Sequence, residues 1–360
     1  MKIKNVSIIG LGLIGGSLAK ALRKSGLPLV INAFDKDDVL DLAIKENVID
    51  NRLRNVQDSL KSDLIFLCLP IKPSLEVFDE LIPGLDGNIL TDVCSVKLIF
   101  QEHWEKLNNG NGFYIGGHPM TGKEKAGFIN SDPLLFENTT YILTEDISDN
   151  ALFTDFRKII ESLGANILYI PAKQHDVIAA SVSHLPQLTA VALVNTASLK
   201  TENYNFLDLA AGGFRDMTRI ASSDFEIWES IIDTNRKQIL TALEKFSFEI
   251  EKLINWISNN KLDVIKRYFE EARKNRDEIP RNTKGFLNPV YDIFIFVEDK
   301  PGMISKISTV LYENGINIKD IELLKIREGT GGTFRLSFES DEEAGHAKKL
   351  IENLGFKISD

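Results

Sequence analysis

Gly10-Leu11-Gly12-Leu13-Ile14-Gly15 follows directly on the apolar run Val6-Ser7-Ile8-Ile9, and no other junction limits the fold of this chain as tightly. The order reads strand, tight turn, helix start. The first glycine permits the turn, the second lets the backbone approach a pyrophosphate, and the third lets helix and strand pack closely. The amides opening the next helix, which carries Gly16-Ser17-Leu18-Ala19, then face phosphate. Glycine turns also occur without a nucleotide, so context decides. A second apolar run, Leu29–Phe34, ends in Asp35, 20 residues after Gly15, where an acidic side chain meets the adenosine ribose hydroxyls. A carboxylate there repels a 2′-phosphate, which predicts NAD over NADP, with Lys36 the one neighbour able to soften the choice. Further apolar runs at Leu64–Leu69 and Ile89–Val93 alternate with helix-like segments and predict a parallel, doubly wound α/β sheet. Ligands of such sheets gather at the carboxyl ends of the strands. Pro70 follows one of these strands and Asp92–Lys97 closes the next, so Ser95 is expected near the nicotinamide, as the cap of a helix, or as both.

At 360 residues, two or three domains are expected, because single cores stop growing at roughly 250–300 residues. A formal charge of -10 argues against a nucleic-acid or anionic-membrane surface and leaves room for a local basic pocket. No apolar run is expected to reach the ~18 residues of a membrane span, and Met1–Val6 runs into a strand without the layout of a signal peptide. A cytoplasmic protein is therefore expected. Cys68 and Cys94 lack the spacing of a zinc or disulfide framework, so no metal is expected and Cys68 reads as a core residue.

Gly116-Gly117-His118-Pro119-Met120-Thr121-Gly122-Lys123-Glu124 sets an imidazole among glycines. A histidine that takes a proton beside a nicotinamide that takes a hydride is the minimum equipment of an alcohol-oxidising dehydrogenase. From Pro171 to about Lys261 the pattern turns helical. Trp228, Ile231, Ile232, Asn235, Ile239, Leu243, Phe246, Ile250, Leu253 and Ile257 form one stripe over 30 positions, which predicts a long helix packed on a second subunit, hence a homodimer, with core packing inside one chain as the alternative. In Ser183-His184-Leu185-Pro186 the proline is expected to kink or break a helix and leave carbonyls and His184 facing a cavity, although a buried, hydrogen-bonded histidine fits equally well. In Gly212-Gly213-Phe214-Arg215-Asp216-Met217-Thr218-Arg219 paired glycines precede a helix with two guanidinium groups, suited to clamping a carboxylate or to surface ion pairs.

Gly10–Ser17, Asp92–Lys97, Gly117–Met120 with Gly122 and Glu124, Ser183–Pro186, and Phe214–Ala221 with Trp228 together resemble the prephenate dehydrogenases of tyrosine biosynthesis, over roughly the first 285 residues. The resemblance implies NAD-dependent oxidative decarboxylation of prephenate to 4-hydroxyphenylpyruvate. It makes His118 the acceptor of the substrate's hydroxyl proton, with Ser95 bonded to that hydroxyl and orienting the imidazole. It assigns a substrate carboxylate to Arg219, the pocket lining to His184, and the pocket mouth to Glu124 and Arg215. The cofactor residues it implies are Gly10, Gly12, Leu13, Ile14, Gly15, Asp35, Pro70 and Ser95. Cys94 stands where a smaller residue is expected, which puts the packing behind Ser95 in question. Arogenate dehydrogenase, differing by an amino group on the substrate, and a catalytically silent amino-acid sensor remain alternatives.

Beyond a charged stretch and Pro280, the pattern reads strand Tyr291–Val297, turn Asp299–Gly302, helix Ile304–Glu313, strands Ile316–Ile326 and Thr333–Phe338, helix Asp341–Leu354, strand Phe356–Ile358. This βαββαβ order is ferredoxin-like. Asp299-Lys300-Pro301-Gly302-Met303-Ile304 with Asn314-Gly315-Ile316-Asn317-Ile318 resembles an ACT domain, which implies an amino-acid effector, tyrosine here, near Gly302, Met303 and Asn317. An ACT-like fold that only assembles subunits is the alternative. The expected division is a Rossmann-like domain at 1–171, a helical substrate and dimerisation domain at 172–285 and an ACT domain at 286–360.

Overall fold

The structure is a computed structural model that describes all residues except 109–110, 124, 146–150, 199–204, 279–290, 328–330 and 360, and the side chains of 325–327 and 359. Glu124 and most of the expected linker around Pro280 therefore lie outside the described residues. Contacts divide the chain into two compact units, Met1–Phe269 and Glu270–Asp360.

The first unit opens with β1 (Asn5–Ile9), α1 (Leu13–Lys24), β2 (Val30–Phe34), α2 (Asp37–Lys45), β3 (Asn51–Arg52), β4 (Leu64–Leu67), α3 (Ile71–Leu81), β5 (Ile89–Asp92), α4 (Leu98–Leu107), β6 (Phe113–Pro119), β7 (Thr140–Leu143), α5 (Ala151–Ser162) and β8 (Asn166–Tyr169). The strands form one sheet in the order β3-β2-β1-β4-β5-β6-β7-β8. β1, β4 and β5 are buried almost throughout, as strands covered on both faces must be. The strand order reverses between β1 and β4, and the glycine turn emerges there, at the switch point where such sheets bind ligands. The sheet is not wholly parallel as the alternation of elements suggested. β7 runs antiparallel to β6 and carries β8 parallel to itself. Between β6 and β7 the described residues hold only the 3₁₀ turn Phe128–Asn130, and without a crossover helix the chain returns antiparallel.

α6 (Ala172–Ala179), α7 (Leu185–Ala197), α8 (Gly212–Thr218), α9 (Phe225–Thr234), α10 (Arg236–Ser258) and α11 (Leu262–Asp277) follow. Three expectations are corrected here. Of the kink or break expected of Pro186, the break does not occur: a π-turn at Ala180–His184 joins α6 to α7, widening the backbone where the proline has no N–H to give. The joined stretch Ala172–Ala197 has 26 residues and a mean hydropathy of 1.6 over 18 of them, so an apolar run of spanning length does exist. Its polar residues His175, Asp176, His184 and Gln187 are buried in the body of the protein. The stripe from Trp228 to Ile257 is also not one helix, because the backbone turns at Asn235 (φ -109°, ψ 22°). A core beneath one face of the sheet, built on Ile65, Phe78, Leu90 and Phe100, continues into Ala180, Ile231, Ile239 and Ala242 of the helical body. Helical body and nucleotide sheet thus share apolar packing.

The second unit contains β9 (Tyr291–Val297), α12 (Met303–Glu313), β10 (Asp320–Arg327), β11 (Gly331–Phe338), α13 (Asp341–Asn353) and β12 (Lys357–Ser359). Its sheet runs β10-β11-β9-β12, antiparallel throughout. Ile293, Ile295, Leu336 and Phe338 pack on Ile307, Leu311, Ala347 and Ile351 of the two helices, giving the expected ferredoxin-like unit its own core. The second strand starts at Asp320 rather than Ile316, since 316–319 lead into the sheet without pairing.

Candidate active site

The turn after β1 is shaped by contact distances. Gly10 has φ +93°, and a Cβ at Gly15 would lie 1.9 Å from the Gly10 carbonyl oxygen, so neither tolerates a side chain. A Cβ at Gly12 would meet nothing within 4 Å, which leaves that side of the turn open. Gly12 caps α1 without a side-chain acceptor, so the first-turn amides of Leu13 and Ile14 face an approaching anion without a competing side chain. Asp35, just past β2, accepts hydrogen bonds from Leu11 N and, at 2.6 Å, from Lys36 N. A tight glycine turn, an open helix N-terminus and an acidic side chain beside them fit a dinucleotide. Pro70 caps α3 at the end of β4.

His118 lies near the end of β6, half-buried. Its Nδ1 is 2.8 Å from His175 Nε2, and His175 Nδ1 is 2.8 Å from Asp176 Oδ1. Asp176 is also the cap of α4: its two carboxylate oxygens accept from Lys97 N at 2.7 Å and Leu98 N at 2.9 Å. A carboxylate accepts only, so Asp176 fixes the proton of His175 on Nδ1. In neutral His175 the other nitrogen then accepts from His118 Nδ1–H, which leaves the lone pair of His118 on Nε2. Burial first, and then the charges of His175, Lys97 and His184, hold the His118 imidazole well below its ordinary range. It is kept neutral, as a general base must be.

Ser95 sits in the bend between β5 and α4, half-buried, and does not cap the helix. Behind it, Lys97 is fully buried and ion-paired to Asp92, which also accepts from Tyr114 Oη at 2.8 Å and Cys94 N at 2.8 Å. Cys94 packs without conflict, and burial followed by the Asp92 charge pushes its thiol up to about 12, which makes it inert.

His184 does not face an open cavity. It is buried edge-on to Trp228 at 5.9 Å, with Asn235 Nδ2 at 3.3 Å from its Nδ1. Asn235 Nδ2 also donates to the Asp176 carbonyl at 2.9 Å. The imidazole falls to about 4, chiefly through burial, with Asp176 opposing and His175 adding to the shift. One turn further, Gln187 Nε2 donates to Ile220 O at 2.9 Å and pins the turn that begins at Arg219. Arg219 is at the C-terminal end of α8 rather than within it, and Arg215 is exposed on that helix. Arg219 lines a cavity of about 400 Å³ together with Gly122 and Lys123, which leave the strand that holds His118. The volume falls within the roughly 300–1,000 Å³ of small-molecule sites.

His175, Asp176 and Gln187 belong to no motif in the sequence, and Asn235 falls within an apolar stripe. A polar residue at a buried stripe position was the available signal. In the second unit, Gly302 (φ +84°) caps α12, and Met303 begins it. Asn317 lies past its other end, in a cavity of about 410 Å³ with Tyr312, Gly315 and Ile318. Eleven helical residues span about 16 Å, so the three do not form one pocket within a single copy.

Residues 18–169 match the description prephenate dehydrogenase, nucleotide-binding domain; 171–271 match the dimerization domain of the same enzymes; and 291–356 match the ACT domain. A prephenate dehydrogenase of Bacillus subtilis is 32% identical over 353 residues, covering 96% of this chain and 95% of its own. One of Lactococcus lactis is 34% identical over 355 residues, 97% and 98% of the two chains. The chain belongs to the prephenate dehydrogenase family. The crystal structure of the Aquifex aeolicus prephenate dehydrogenase in complex with hydroxyphenyl propionate and NAD+ is 29% identical, with a TM-score of 0.71 over 78% of this chain and 99% of that one. Like its relatives in this family, the chain is an NAD-dependent oxidoreductase.

Proposed function

We propose that the chain converts prephenate to 4-hydroxyphenylpyruvate, and that the His118–His175–Asp176 chain of hydrogen bonds carries this reading. NAD, when bound, would supply the hydride acceptor. Gly10, Gly12, Leu13, Ile14, Gly15 and Asp35 would hold its phosphates and ribose, with Pro70 and Ser95 toward the nicotinamide. His118 takes the proton of the ring hydroxyl on Nε2, because its Nδ1 is engaged by His175. Ser95 bonds the same hydroxyl and sets its direction. Loss of carbon dioxide makes an aromatic ring, so the protein mainly has to orient the substrate and remove one proton. Placed general bases are worth roughly 10²–10⁴-fold. Arg219 holds a substrate carboxylate, Arg215 stands at the entrance, and buried His184 supports the wall through Asn235.

We assign 1–171 to the cofactor, 172–285 to substrate and dimer contacts, and 286–360 to regulation. Phe248, Ile250, Ile254 and Ile257 on α10 are exposed in one copy, and a homodimer covers them. Two ACT units, each giving the opposite end of α12, would bring Gly302 and Met303 of one copy to Asn317 of the other and bind tyrosine as feedback inhibitor. A cytoplasmic location, where NAD and the polar substrate are at hand, belongs to the same proposal.

The test is NADH or NADPH formation with prephenate or arogenate, each with NAD and NADP, with and without tyrosine. Turnover of prephenate with NAD, reduced by tyrosine, is the expected result. No turnover of either substrate would leave a silent sensor, and preference for arogenate would make the chain an arogenate dehydrogenase.

A further inference from the structure

Beyond His118, β6 leads into a loop whose Gly122 and Lys123 wall the same cavity as Arg219, Ser222 and Asp224. We propose that Lys123 determines specificity, favouring a substrate whose side chain ends in an α-keto acid over its α-amino counterpart. The proposal rests on this cavity being the substrate site. Among the described residues, two cationic side chains and one carboxylate line it. Lys123 Nζ is 2.7 Å from Asp132 Oδ2, and its side chain is 42% exposed, so it is tethered at the rim rather than committed to a buried pair. Asp132 is itself anchored: its Oδ1 accepts from Leu134 N at 2.9 Å and its backbone N–H donates to Ser17 Oγ at 2.9 Å. The ammonium of this cavity-lining lysine therefore has an anchored partner.

The keto substrate carries two carboxylates and no cation. Its amino counterpart adds an ammonium next to the side-chain carboxylate. With that carboxylate clamped by the Arg219 fork, a second cation in the same cavity attracts the dianion and repels the neighbouring ammonium. Asp224 pulls the other way, and the Asp132 partner weakens the field of Lys123. Lys123 thus shifts the balance between the two substrates without touching the proton that His118 removes.

The experiment compares kcat/KM for prephenate and arogenate in the wild type, Lys123→Gln and Asp132→Asn. Arogenate is read as an inhibition constant against prephenate where its turnover is too slow to follow. One partly screened charge pair is worth about fivefold. Lys123→Gln should lower the prephenate-to-arogenate ratio by about that factor through KM, and Asp132→Asn, which releases the ammonium from its carboxylate, should raise it. Opposite signs in two variants of one ion pair follow from the field and not from loss of structure. A ratio unchanged in both, or one that moves the same way in both, would overturn the role of Lys123 while leaving prephenate oxidation intact. A wild type that binds and oxidises neither substrate would overturn the reading of the cavity and this role together.

Discussion

At the scale of single residues, everything turns on which nitrogen of His118 holds the lone pair. Replacing it by asparagine keeps a donor toward His175 and removes the base, so His118→Asn should lower kcat by about 10²–10⁴-fold and leave KM for prephenate nearly unchanged. Steady-state kinetics decide; an equal effect on KM alone would make His118 a binding group. His184 gives a second expectation, in pH. Its native value of about 4 lies below the ordinary 6.5, so between these limits the unfolded chain binds a proton that the native protein refuses. Its contribution is complete above pH 6.5 and falls away as the pH drops toward 4, by up to about 3 kcal/mol. Melting temperatures of the wild type and His184→Gln at pH 7 and pH 4.5 should show a smaller acid loss in the variant; equal losses would mean that native His184 takes up the proton. Gly10, Gly15, Asp35 and His118 were legible because each acts within a few residues of its own strand. His175 and Asp176 were not, since a His-Asp pair in a helical run has many ordinary uses. Its meaning comes from a contact 57 positions away.

At the scale of elements, the site is held by helix ends that cap one another across the chain. α4 has no acceptor of its own at its start, and the carboxylate of Asp176 from α6 serves it over a separation of 79 residues. The same carboxylate orients His175, so packing and chemistry share one side chain. Asp176→Ala should therefore cost about 2 kcal/mol in urea unfolding and reduce kcat together, because two amides lose their acceptor and His175 its tautomer. Asp176→Asn, which keeps one acceptor oxygen, should recover most of the stability and less of the rate. If alanine lowered stability alone, the relay would have no part in turnover. The break at Asn235 belongs to the same scale. Apolar positions continue in helical register on both sides of it, and periodicity carries no record of a turn that exists to aim an amide at Asp176 and His184. Reversal of β7 was hidden for a similar reason, because strand direction depends on the connection and not on the strand.

At the scale of the whole molecule, the chain is two compact units, and each closes its own core. The catalytic residues proposed here all lie in the first, whereas Gly302, Met303 and Asn317 lie in the second. A protein ending after Asp277 should therefore fold, bind NAD and oxidise prephenate, because the two cores of the first unit are built, among the described residues, from positions before that point. It should also lose its response to tyrosine. Inhibition is a coupling free energy between two places, and removing one of them removes the coupling while leaving the other's chemistry. Initial rates over a tyrosine series, in the full chain and the truncated one, give the comparison. Inhibition that survives truncation, and that prephenate overcomes by competition, would put tyrosine in the Arg219 cavity as a product-like ligand and leave the ACT unit with assembly alone.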